Sequence, residues 1–294
     1  MKNPNIGILG GDARYIHLAN ALAQDGYQVH CMFLEAPGLS EAVHRVEDFR
    51  DALPFCAALL LPIPVCREGL QLNAPFWPED RNRDIGQFLE DIGKTTLVLG
   101  GAPSPAVREA FAQRELRFVD LMERNDLALA NALPTAEGAV ALAMDRLEVT
   151  ISGSRCIVVG CGRCGRVLAR LLASMGASVT VTARRKGQLT WIADRGWEPL
   201  DTGCLAERAG DCDVIFNTVP APVVTRRVLD AMAPGTVVID LASRPGGTDF
   251  DYAAQKGIDA VLAPGLPGKA APKTAGLILR DTVLSMFQER GITL

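Results

Sequence analysis

The sequence predicts an α/β protein of two domains, each built on a parallel sheet with helices over its faces. Three observations carry this. Short apolar runs of strand length alternate with segments of helical period along the whole chain, the order that builds parallel sheets with covered faces. One run, Cys156–Val159, leads straight into Gly160-Cys-Gly162-Arg-Cys-Gly165 and then into apolar residues at helical spacing up to Met175. The chain has 294 residues and is 48% hydrophobic, enough for two cores of ordinary size.

The elements follow in order. Ile6–Leu9 reads as a strand ending at Gly10-Gly-Asp12, and residues 17–24 as a helix stopped by Gly26. Residues 27–33, 57–61, 96–99 and 117–120 read as further strands. Residues 66–83, rich in Pro, Asn and charge, read as loop, with Phe76 and Trp77 covering a cleft or filling a gap. Residues 122–147 form a helical stretch broken near Pro134, which disfavours helix at Leu133 and suits the first turn of a new one. In the second half, 156–159, 178–182, 214–217, 237–240 and 260–262 read as strands, and 274–288 as a terminal helix with Gly291 beyond it. This predicts two Rossmann-like domains: a substrate domain at 1–125 and a cofactor domain at 151–273. Connecting helices at 126–150 join them, and a helix at 274–294 returns to the first domain.

The glycine loop has the context that a dinucleotide requires. Gly160 permits the tight turn, Gly162 lets backbone approach a pyrophosphate, and Gly165 lets helix and strand pack closely. Arg163 and Cys164 lie within the loop. The next strand ends in Ala183-Arg184-Arg185-Lys186, with no carboxylate for ribose hydroxyls, and Arg grips a 2′-phosphate bidentately. This favours NADP over NAD. Loops at carboxyl strand ends line the crevice of such a sheet. Asn217-Thr218-Val219-Pro220 and Asp240-Leu241-Ala242-Ser-Arg-Pro-Gly-Gly247 are therefore further cofactor candidates, and Gly265-Leu-Pro267, opening a segment denser in Gly and Pro than a connector needs, could offer backbone amides to a ligand anion. Cys161 and Cys164 have redox or half-zinc spacing, but the cofactor needs that space and no second pair completes a metal set.

Composition narrows the classes. Net charge is −4, which gives no basic surface for nucleic acid. No run reaches the roughly 18 apolar residues of a membrane span, and the N-terminus has no apolar signal core, so a soluble, cytoplasmic protein is expected. The eight scattered cysteines read as reduced, small apolar residues. Only His17, His30 and His44 are present, so neither a Ser-His-Asp nor a Cys-His arrangement can be built, and no metal site is expected.

In the first half, the amides of Gly10-Gly11-Asp12 with Arg14 would suit a carboxylate, unless Arg14 only pairs with Asp12. Glu123-Arg-Asn-Asp126 and Asn131-Ala-Leu-Pro-Thr135-Ala-Glu137-Gly138 concentrate polar groups on an otherwise apolar helical stretch, which suggests an interdomain cleft.

These segments, with Pro264-Gly-Leu-Pro-Gly-Lys269-Ala-Ala-Pro-Lys-Thr-Ala-Gly276, make the chain resemble the A subunits of dipicolinate synthase from spore-forming bacteria over nearly its whole length. The last segment also resembles the Pro-Gly segment of alanine dehydrogenases, and the layout is similar to 2-hydroxyacid dehydrogenases. The resemblance implies oxidation of a dihydrodipicolinate, derived from 4-hydroxy-tetrahydrodipicolinate, with NADP as hydride acceptor, in the mother cell during spore formation. It also implies that the partner is a flavoprotein-like B subunit, and a homo-oligomer is expected. For a dicarboxylate substrate, Gly11, Asp12, Arg14, Asn131, Thr135 and Lys269 are the binding candidates, and Asp12 or Glu137 the proton acceptor. Another NADP dehydrogenase of a small amino or hydroxy acid, and a non-catalytic cofactor-binding component of a two-protein synthase, are the alternatives.

Overall fold

The computed structural model describes residues 4–78 and 80–292. These divide into two compact units. One holds the described residues through Ala130 together with those from Pro272 onward; the other is Asn131–Ala271.

The first unit carries β1 (Asn5–Leu9), α1 (Ala13–Gln24), β2 (Gln28–Met32), β3 (His44–Arg45), β4 (Cys56–Leu60), β5 (Cys66–Glu68), β6 (Gln71–Leu72), β7 (Leu97–Gly100), α2 (Pro105–Gln113), β8 (Arg117–Asp120) and α3 (Asn125–Ala130). Its main sheet runs β3-β2-β1-β4-β7-β8, with every pairing parallel. β1 and β4 are central and apolar on both faces, because helices and loops cover both. β3 escapes the sequence reading: it is two exposed residues at an edge and has no apolar run to announce it. Residues 66–83 are less irregular than expected, since β5 and β6 pair antiparallel there. Trp77 fills a gap: its ring meets Phe33 edge-on, centroids 4.9 Å apart.

The second unit carries α4 (Ala132–Arg146), β9 (Arg155–Val159), α5 (Arg163–Ser174), β10 (Ser178–Ala183), α6 (Lys186–Ala193), β11 (Glu198–Asp201), α7 (Leu205–Arg208), β12 (Val214–Asn217), α8 (Arg226–Ala231), β13 (Val237–Asp240), α9 (Phe250–Lys256), β14 (Ala260–Leu262) and α10 (Leu266–Ala270). Its sheet repeats the plan as β11-β10-β9-β12-β13-β14, all parallel. β11 is the second strand the sequence hides, an exposed edge segment containing Pro199.

The helical stretch at 126–150 does not stand apart from the two units. α3 belongs to the first and α4 to the second, and the break falls at Asn131, with Pro134 in the first turn of α4. Residues 125–146 match a membrane span by length and composition alone, but 44% of an apolar 18-residue window within them is buried in the protein. α4 packs on α10 so closely that a Cβ on Gly138 would lie 3.1 Å from the Cβ atoms of both Ala270 and Leu266. α11 (Pro272–Arg290) lies in the first unit against α1. Gly276 makes the approach possible: a Cβ there would stand 2.5 Å from the Arg14 carbonyl and 2.7 Å from the His17 Cβ.

Candidate functional site

In each sheet the order reverses beside the first strand, between β1 and β4 and between β9 and β12. Open α/β sheets form their ligand crevice at the carboxyl ends of strands at such a switch point.

In the second unit the loop after β9 is shaped by three glycines with different work. Gly160 has φ +103, where side chains are strained, and a Cβ would sit 2.7 Å from Thr218 Oγ1 and 2.8 Å from Val219 Cγ2. A Cβ on Gly165 would overlap the carbonyl of Gly160. Gly162 differs. It precedes α5 in extended conformation, supplies no side-chain cap, and a Cβ on it would meet nothing within 4 Å. With no N-cap side chain over it, the twelve-residue helix turns its positive dipole end to an open face, which fits a pyrophosphate. Buried Thr182 accepts from the Gly160 amide at 3.3 Å, and Thr218 Oγ1 donates to the Val159 carbonyl at 2.8 Å, fixing the loop between neighbouring strands.

The other strand-end loops are built by buried polar groups. Asn217 is fully buried, and its side chain accepts from Val219 N and donates to Val219 O, each at 3.0 Å. It shapes the turn and has no exposed atom to offer a ligand. Thr218, Val219 and Leu241 are half-buried, Pro220 is exposed, and Ala242 is buried. Asp240, also fully buried, accepts from Ala242 N, Gly247 N and Thr248 Oγ1, holding the 241–248 loop.

Beyond β10, Ala183 is buried while Arg184 and Arg185 are exposed, and neither arginine enters an ion pair among the described residues. Arg163 is exposed as well. Arg166 lies over the Trp191 ring at 4.4 Å, Arg195 lies over the same ring at 4.7 Å, and Arg166 Nε donates to the Cys161 carbonyl at 3.1 Å. Cys161 is buried and Cys164 half-buried, both as free thiols. Burial pushes the Cys164 thiol up to about 11, the opposite of an activated cysteine.

The remaining candidates of this unit lie on α4 and α10. Glu137 is exposed, and the Thr135 hydroxyl donates to the Asn131 carbonyl at 2.6 Å. Asn131 Oδ1 is buried without a partner among the described residues. Gly265 has φ +69 and caps α10, Pro267 is half-buried, and Lys269 is exposed.

In the first unit the turn after β1 corrects the sequence reading. The Gly10 and Gly11 amides, expected as anion donors, bond instead to the carbonyls of Met32 and Asn73, both at 2.9 Å, and Gly11 is buried. Arg14 is 7% exposed; its Nε and Nη2 hold the Asp12 carboxylate at 2.8 Å each, and Nη2 also donates to the Ile63 carbonyl. Burial works against the charge of Arg14, but the bonds to Asp12 outweigh it and hold its pKa above the ordinary value. Tyr15 repeats the bridge, donating to the Leu61 carbonyl at 2.7 Å. Asp12 and Arg14 thus form one closed, bidentate unit tying β1 to the end of β4.

The segment Glu123–Asp126 is likewise structural. Arg124 joins Asp126 at 2.7 Å and Glu289 at 2.9 Å, linking the start of α3 to α11. Residues not foreseen as site-formers are Thr182, Arg166, Asn73 and Arg67; Asp240, expected to line the cofactor crevice, is instead a fully buried acceptor that shapes its loop. Arg67 Nε donates to Asn73 Oδ1 at 2.8 Å. Each of the four unforeseen residues lies beside a recognised motif or in a stretch read as plain loop.

Comparison with known proteins agrees with this geometry. Residues 5–122 match the family model for the N-terminal domain of the dipicolinate synthase A subunit, and residues 126–290 match the model "Alanine dehydrogenase/PNT, C-terminal domain". The chain is 34% identical to the dipicolinate synthase A subunit of Bacillus subtilis over 97% of its own length and 96% of that protein. It superposes on the crystal structure of the dipicolinate synthase A subunit from Bacillus halodurans with a TM-score of 0.91 at 36% identity, covering 97% of this chain and 98% of that one. For the crystal structure of the Bacillus subtilis protein the TM-score is 0.87 at 33% identity, over 98% of this chain and 97% of that one. With two parallel-sheet α/β units of dehydrogenase type and this likeness along nearly its full length, the chain belongs to the family of dipicolinate synthase A subunits.

Proposed function

We propose that the chain oxidises dihydrodipicolinate, formed from 4-hydroxy-tetrahydrodipicolinate, to dipicolinate with NADP. The observation that carries the cofactor part is the N-terminus of α5 at Gly162, with no side chain over it, in a unit where β10 is followed by Arg184 and Arg185, neither in an ion pair among the described residues. The α5 amides would hold the pyrophosphate, and the two arginines a 2′-phosphate. Thr218, Val219, Pro220, Leu241, Gly265 and Pro267 would line the ribose and nicotinamide. Bound NADP supplies the hydride acceptor. Aromatisation also releases a proton, and Glu137 is the better placed of the two carboxylates to take it: it is exposed and enters no ion pair among the described residues, whereas Asp12 is held by Arg14. Asn131, Thr135 and Lys269 would position the substrate carboxylates.

Membership in a family of synthase subunits supports a second protein in the assembly, and the flavoprotein-like B subunit is that partner in this reading. The site of action is the cytoplasm of the sporulating mother cell. Freshly made 4-hydroxy-tetrahydrodipicolinate and NADP, supplied with and without the partner, test the reading. NADPH and dipicolinate should rise together in the complete mixture; a complete mixture that forms neither overturns it.

A further inference from the structure

We propose that Arg67 is the residue that neutralises a carboxylate at the mouth of the first sheet, and that buried Asn73 positions it there. This rests on the dicarboxylate reading above and names the residue that makes it selective. The switch point of this sheet lies between β1 and β4, flanked by the turn Gly10–Arg14 and the segment Leu61–Arg67. The cation that the sequence offers there, Arg14, is closed to a ligand anion in charge terms, because the Asp12 carboxylate takes two of its donors and balances its charge. The two glycine amides are closed as well, being bonded to Met32 and Asn73.

Arg67 supplies what that turn lacks. It is exposed, and no carboxylate pairs with it among the described residues. Its direction is set by Asn73, which is 6% exposed and bonded on three sides: its amide donates to the Val65 carbonyl, its carbonyl accepts from Gly11, and its Oδ1 accepts from Arg67 Nε. Asn73 thus fixes Arg67 and the Gly11 turn to one another. With Nε tied to a neutral oxygen, the guanidinium keeps its full charge and its Nη donors for a planar bidentate acceptor, which is the shape of a carboxylate. An aspartate at position 73 would fill the same space and cancel that charge.

Calorimetric titration of the full chain with pyridine-2,6-dicarboxylate and with pyridine-2-carboxylate tests this. Arg67→Ala should weaken the dicarboxylate by about tenfold to a hundredfold, the range for removing a charge-assisted hydrogen bond. It should weaken the monocarboxylate by much less and leave NADP affinity unchanged. Asn73→Asp should reproduce the loss with Arg67 still present, and Arg67→Lys should recover part of it. If the wild type binds the dicarboxylate and both Arg67→Ala and Asn73→Asp bind it equally well, the assignment is overturned while the proposed reaction stands. If the wild type binds neither pyridine acid and forms no dipicolinate, the proposed reaction falls and takes the assignment with it.

Discussion

The Cα of Gly165 stands so close to the carbonyl of Gly160 that any side chain at position 165 would overlap it, while three residues earlier Gly162 faces open space. On the proposed reading, these two glycines of one loop separate folding from binding. Gly165→Ala should lower the melting temperature measurably, since the strand-to-helix turn must open to admit a methyl group. Gly162→Ala should fold normally, with stability within about 0.5 kcal/mol of wild type, because its φ of −84 suits alanine. It should nonetheless lose at least about tenfold in NADP affinity, because its methyl group would stand in the proposed path of the pyrophosphate to the amides. Thermal melts and equilibrium binding on the two variants check this; a Gly162→Ala protein that binds NADP like wild type would sink the phosphate-loop assignment.

Arg184 and Arg185 follow β10 without ion pairs that would have to be broken. Replacing Arg184 by Ala should weaken NADP by about tenfold to thirtyfold, or about 1.5–2 kcal/mol, and leave NAD affinity nearly unchanged. The double Arg184→Ala, Arg185→Ala variant should bring the two cofactors close to parity. Dissociation constants for both dinucleotides, taken at one ionic strength, decide it.

Cys164 offers a pH readout inside the same loop. Only the thiolate alkylates, and burial raises the pKa from the ordinary 9.0 to about 11. Below that value the thiol stays protonated. At pH 8 its labelling should therefore run about a hundredfold slower than that of a free cysteine, from the thiolate fractions at the two pKa values. The rate should keep climbing past pH 10 rather than levelling off. Saturating NADP should slow it further. Mass spectrometry of iodoacetamide adducts across pH gives the profile.

Gly276 tests the packing of α11 on α1. Replacing a helical glycine by alanine normally stabilises by up to about 1 kcal/mol, but here the methyl group meets the Arg14 carbonyl at 2.5 Å. Backbone cannot rotate away, and overpacking costs about 1–3 kcal/mol. The net effect of Gly276→Ala should be a loss of about 1–2 kcal/mol in denaturant unfolding. Gly187 in α6 has nothing within 4 Å, so Gly187→Ala should be neutral or slightly stabilising.

The sequence disclosed what buried periodicity and glycine spacing encode. Strands such as Cys156–Val159 and Val237–Ile239 are apolar because both faces are covered, and the geometry of the 160–165 loop requires glycine at 160 and 165. The edge strands β3 and β11 were hidden because an exposed edge needs no apolar run. At the first sheet the residue types at 10–14 suggested an anion site, but which amides and guanidinium donors are already bonded depends on Met32, Ile63 and Asn73, far away in the chain. The same holds for Asn217 and Asp240, whose polar side chains lie inside the protein and shape loops. A polar residue in a recognised segment marks a site; its bonded partners decide whether it acts there.

The most direct test of the central claim is the fate of the hydride. Substrate carrying deuterium at the saturated ring carbons, turned over with NADP, should deliver one deuterium to the nicotinamide, so that the NADPH formed is one mass unit heavier, in equal amount with dipicolinate. Dipicolinate that accumulates while NADP stays oxidised, or NADPH that carries no label, would contradict the account.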